Sequence, residues 1–179
     1  MHTPRHAATT DARRRRPRAF TFIEMMIVIT IILILGALVT PMLGQTAATR
    51  LASAAQLLAA DLAFAQVESI SHGDDPRVVV FDQAGGNYRI AASSDPATPI
   101  TNPIGNQPYQ TTFGSGRARE LDGVSIQGYS LDGDDTLGFG IYGELDQTTA
   151  ATVTLASEGF TIVLTMDPVT GEASIGQVN

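Results

Sequence analysis

The sequence contains no cysteine and no lysine. Without cysteine there are no disulfides, although an extracytoplasmic compartment would permit them. Zinc held by thiolates is excluded as well. Histidine is scarce: His2, His6 and His72. No Gly-x-Ser-x-Gly occurs. Beyond residue 19 a Ser-His-Asp triad would have to use His72. That residue precedes Gly73, a good helix stop, and is expected to meet the free carbonyls of a helix end. No enzyme is expected. All the fixed positive charge rests on 11 arginines, against 18 Asp and Glu. Arg5, Arg13, Arg14, Arg15, Arg16 and Arg18 sit in a basic head that also holds Asp11. Beyond residue 19, Arg50, Arg77, Arg89, Arg117 and Arg119 face all the remaining acids, for a net charge of about −12. Such a surface repels nucleic acid and anionic lipid.

The basic head gives way to an apolar run. It covers residues 20–39 and is interrupted by Thr21, Glu24 and Thr30. About twenty apolar residues suffice to cross a bilayer core of roughly 30 Å. Arginines stay on the cytoplasmic side, so the bulk of the chain is expected across the membrane. A secretory signal places its small-residue cleavage site after the apolar stretch. Here the small residue, Ala19, precedes it, so cleavage there would remove the head and keep the helix. Glu24 is the anomaly: a charge in a membrane helix costs about 2.5–3.5 kcal/mol on insertion scales and calls for a partner. A new amino group on Phe20, from the same or a neighbouring chain, would be one. Thr30 and Gly36 fit either close helix packing or tolerated single positions.

Residues 45–71 are rich in Ala and Leu, which favour helix. Leu51, Ala55, Leu58, Leu62 and Ala65 share one face, and Arg50, Asp61 and Glu68 are expected on the opposite, solvent side. Pro41 is expected to bend the helix rather than end it. The pattern then turns to short runs of β-branched and aromatic residues at 77–81, 88–92, 124–131, 137–142, 152–156, 160–166 and 173–178, which read as antiparallel strands. Residues 82–87 and 167–171 read as hairpin connections. Residues 93–108, with four prolines, read as a long surface loop. The fold class expected is α+β: a long N-terminal helix, transmembrane in its first half and amphipathic in its second, packed on a small antiparallel β-sandwich-like domain. The divisions are a leader at 1–19, a membrane segment at 20–41, the helix continuation at 42–73 and a β domain at 74–179.

Ala19-Phe20-Thr21-Phe22-Ile23-Glu24-Met25, the apolar run and Pro41 together resemble the N-terminus of type IV prepilins and of the pseudopilins of type II secretion. The resemblance implies that a membrane prepilin peptidase cuts between Ala19 and Phe20 and methylates Phe20. It implies that Glu24 pairs with the N-terminal amine of an adjacent subunit, and that Pro41 is the helix-kinking proline. Ala19 stands where glycine is commoner, and Phe22 where leucine is usual. Residues 57–73 and the strand at 77–81 resemble the GspH/FimT-type minor pseudopilins, with Gln66 in place of an arginine and Glu68-Ser69 transposed.

The resemblance implies a minor pseudopilin of a type II secretion system, at the inner membrane with its C-terminal domain periplasmic. Its partners would be the prepilin peptidase, other pseudopilins, membrane lipid and exported protein cargo. The alternative is a FimT-like minor type IV pilin serving pilus assembly or DNA uptake. Arg117 and Arg119 form the one basic spot for DNA, but Glu120 and Asp122 come directly after it, and DNA binding needs many neutralised phosphates. Asp132, Asp134 and Asp135 offer oxygen ligands for calcium. They lack the rest of an EF-hand loop, and Asp and Gly also dominate plain turns. No cofactor is expected.

Overall fold

A computed structural model describes residues 20–179, except for the side chains of residues 37–45. Ala19 and the leader lie outside the described residues. Helix α1 spans Phe22–Ser71. Thr21 caps it: the Glu24 backbone N–H donates to Thr21 Oγ1 at 3.3 Å and to the Thr21 carbonyl at 3.1 Å. Thr21-x-x-Glu24 is thus a capping-box sequence, and an acid in the first turn also suits the helix dipole. Pro41 lies within α1, but its side chain is outside the described set.

The chain divides into two units, Met1–Thr40 and Pro41–Asn179. In the first, the described side chains of the apolar run are exposed, Phe20 at 75% and Leu33 at 68% among them. Among the described residues no helix is long and apolar enough to cross a membrane. The described side chains of the run stop at Gly36, three positions short of its end at Val39 in the sequence.

The second unit holds the remainder of α1 and two antiparallel sheets. The first sheet contains β1 (Arg77–Asp82), β2 (Asn87–Ala92), β3 (Asp95–Pro99), β4 (Gln110–Thr112) and β6 (Thr136–Gly138). Its order is β3-β2-β1-β6, with β4 also paired to β2. The second sheet has the order β5-β7-β8-β9, from β5 (Ser125–Ser130), β7 (Ala151–Ser157), β8 (Phe160–Met166) and β9 (Ala173–Ile175). Glu158-Gly159 joins β7 to β8 with φ of 49° and 89°, the backbone of a type I′ hairpin turn.

One core binds helix and sheets. Leu51, Leu58 and Leu62 of α1 meet Val79, Phe81, Tyr88 and Ile90 of the first sheet and Val153, Leu155, Leu164 and Met166 of the second. Strict alternation drives this: along β7 every second residue is buried, as a half-buried strand requires. Among the described residues every core residue belongs to the second unit, so that unit carries a core of its own, the property of a part that can fold alone.

Three expectations need correction. Asp61 is buried, 3% exposed, because it stands three residues after Leu58 and four before Ala65, inside the apolar stripe. Residues 93–108 are not one loop. They contain β3, and Thr101 bridges to Pro108, because β2 has an edge to cover and prolines are tolerated at an outermost strand. The strand expected at 137–142 stops at Gly138, since Gly143 N–H donates back to the Gly140 carbonyl at 3.0 Å and turns the chain.

The end of α1 is fastened by polar contacts. Gln66 Nε2 donates to the carbonyls of Gly143 at 2.7 Å and Thr170 at 2.6 Å. Gly171 closes this junction at φ +67°, and a Cβ there would collide with the Gly143 carbonyl oxygen. Ser69 is fully buried and its Oγ accepts from the Arg77 N–H at 2.7 Å, tying the helix to β1.

Candidate functional site

Two constellations carry the chemistry of this chain. The first is the start of α1. Phe20 and Thr21 precede the helix, and Glu24 lies on its first turn with its side chain exposed. Among the described residues Glu24 makes no ion pair. The carboxylate is therefore open to a cation from outside, on a stretch of α1 whose other side chains as far as Leu35 are exposed and, Thr30 apart, apolar. Ala19, the other half of the expected cleavage site, lies outside the described residues.

The second constellation is built on the buried Asp61. Tyr88 of β2 donates its hydroxyl to Asp61 Oδ2 at 2.6 Å, and Tyr109 donates to Oδ1 at 3.0 Å. Thr111 of β4 donates to Oδ2 at 3.4 Å. Arg117, in the 3-10 helix Gly116–Leu121, pairs with Asp61 through Nη2 and gives its Nε–H to Thr111 Oγ1 at 3.0 Å. Its guanidinium also lies 4.7 Å from the Tyr109 ring centre, and Tyr109 stacks on Phe64 of α1 at 4.9 Å. One carboxylate thus gathers α1, β2, β4 and the 3-10 helix. Buried charges survive when paired and fully hydrogen-bonded, and Asp61 meets both conditions.

This packing sets the electrostatics. Burial, then the adjacent Asp61 charge, pushes the Tyr88 hydroxyl well above its ordinary range, and the same two causes raise Tyr109. For Arg117 burial is the largest single influence and works against the charge, but Asp61, Tyr88 and Tyr109 together outweigh it and the net direction is upward. Both carboxylate oxygens are engaged within the fold, so the arrangement acts as a structural clamp between its elements.

The other residues expected to carry function are spoken for or scattered. Arg117 is committed to Asp61, and Arg119 is exposed beside Glu120 at 3.7 Å, so the two arginines make no joint basic patch. Asp134 accepts the Thr136 N–H at 2.9 Å as a turn residue. Among the described residues no three His, Asp or Glu are grouped to hold a metal ion. His72 Nδ1 lies 3.0 Å from the Glu68 carbonyl at the last turn of α1. Sequence reasoning missed Tyr88, Tyr109 and Thr111 as partners of Asp61. The available signal was the carboxylate within the apolar stripe.

Residues 14–40 match the family model described as the prokaryotic N-terminal methylation motif. The match spans Ala19, Phe20 and Glu24. The N-terminal segment of the chain therefore carries a prepilin-type methylation motif. No curated protein matches it. Among solved structures, the chain is similar to the type IV minor pilin FimU of Pseudomonas aeruginosa, at 19% identity and a TM-score of 0.48, over 70% of this chain and 92% of that one.

Proposed function

We propose that the chain is a minor pseudopilin of a type II secretion system, a filament subunit with no chemistry of its own. The observation that carries this reading is the N-terminal methylation motif at residues 14–40. The prepilin peptidase cuts between Ala19 and Phe20 and methylates Phe20. The run at 20–39 anchors the chain in the inner membrane before assembly, with the arginines cytoplasmic. It then packs against the helices of other pseudopilins, where Glu24 neutralises a neighbour's N-terminal amine. The unit Pro41–Asn179 stands in the periplasm and meets neighbouring subunits or exported cargo. Secretion is favoured over DNA uptake by the charge of about −12 and by the engagement of Arg117 with Asp61.

Comparing the secreted proteins of a strain lacking the gene with those of its parent tests this. Loss of a defined set of exported proteins is the expected result. An unchanged set, with pili or DNA uptake lost instead, would assign the chain to a type IV pilus.

A further inference from the structure

Arg117, the most exposed member of the Asp61 clamp, also lines a cleft. The cleft measures about 670 Å3, and its walls include Asn102, Ile104, Gln107, Gln110, Ser115 and Arg117. None of the residues lining it is an acid, although the chain beyond residue 19 carries about −12. Its floor is the outer edge of β4. Tyr109 and Phe113 bond across to β2, through Ile90 N–H to the Tyr109 carbonyl at 3.0 Å and Phe113 N–H to the Gly86 carbonyl at 3.4 Å. By the alternation of an antiparallel ladder, Gln110 and Thr112 then turn their backbone groups away from β2. Two of those groups are spoken for: Gln110 N–H donates to the Pro108 carbonyl, and the Thr112 carbonyl accepts from Ser115 N–H. The Gln110 carbonyl and the Thr112 N–H are left facing the cleft.

That pair is the complement of an extended chain laid along β4, met by a single residue of a parallel chain or by an N–H and a carbonyl two residues apart on an antiparallel one. The neighbouring β3 edge carries Pro96 and Pro99, which blunt it against strand addition. Around the β4 edge the amides of Asn102 and Gln107, the Ser115 hydroxyl and the Arg117 guanidinium supply further polar contacts. Exposed Ile104, 86% accessible, supplies an apolar one. Arg117 is already neutralised by Asp61, so the cleft does not select for a phosphate or another strong anion.

We infer that this cleft is a β-augmentation site for an extended segment of another polypeptide, read chiefly through its main chain, with an acceptor at Arg117. The inference stands apart from the secretion reading, since a pilus subunit could use the same cleft.

The test uses the unit that carries its own core, residues 41–179, panned against a phage-displayed library of short random peptides. Selected peptides are expected to slow amide exchange at Thr112. Thr112→Pro removes the outward N–H without removing a ladder bond to β2, although its ring also restricts Thr111, and is expected to weaken them about two- to tenfold, the worth of one hydrogen bond. Ser115→Trp fills the cleft from an exposed position and is expected to abolish binding, with amide protection in β7 and β8 reporting that the fold persists. The inference is overturned if the library yields no binder, or if both variants bind as the parent does. It is equally overturned if protection appears at Ala173–Ile175, the free edge of the other sheet, in place of Thr112.

Discussion

Asp61→Ala is expected to lower the stability of the unit Pro41–Asn179 by about 2–4 kcal/mol, chiefly the cost of leaving the buried hydroxyls of Tyr88, Tyr109 and Thr111 without their acceptor, since the Arg117 side chain is one-third exposed and can turn to water. That is a large share of the 5–15 kcal/mol that holds a typical domain together. The variant loses four donors at once: Tyr88, Tyr109, Thr111 and Arg117. Urea unfolding measures it, and Arg117→Gln in the Asp61→Asn background should cost much less than in the parent, because the two residues act as one unit. A loss below about 1 kcal/mol, the scale of exposed ion pairs, would mean that the clamp is not a stabilising element. The alkaline limb reports on the same network. Tyr88 and Tyr109 have raised folded-state values, so their contribution is full below about pH 10, where the unfolded phenols ionise, and is lost as pH rises towards the folded values. Tyr88→Phe should flatten that loss.

Glu24→Ala is expected to leave membrane insertion and cleavage intact but to abolish filament incorporation. Removing a charge from an apolar helix makes insertion easier by about 2.5–3.5 kcal/mol, so a defect cannot come from failure to enter the bilayer. What is lost is the open carboxylate on the first turn of α1. The helix cap does not depend on it, since Thr21 Oγ1 accepts the backbone N–H of residue 24 whatever its side chain. Glu24→Gln separates charge from shape and should also fail. Cross-linking and sheared-filament recovery measure the outcome, and wild-type recovery of either variant would remove the amine-pairing role.

How far the sequence was legible depended on whether its signals were local. Alternation at β7 and along most of β8 could be read directly, because burial in a half-covered sheet follows a period of two, whereas β1 and β2, buried at nearly every position, were legible from their β-branched and aromatic residues. The turn at 82–87 was legible for the same reason: Asp82 Oδ1 accepts the Gly85 N–H within the turn itself. Asp61 was misread because its charge was weighed above its position between Leu58 and Ala65. Its partners lie 27 to 56 residues away, and no local pattern announces such pairings. β3 and β4 are hidden by prolines and by shortness, and they exist because β2 offers an edge. The Thr21-x-x-Glu24 box was visible in the sequence but was overshadowed by the processing motif that overlaps it.

The central claim is that this chain is processed into a filament subunit. Intact-mass analysis of the protein extracted from membranes tests it most directly. The expected mass is that of residues 20–179 bearing one added methyl group, with fragmentation placing the methyl on the amino group of Phe20. A chain that still carries residues 1–19, or one cut after the apolar run, would contradict it.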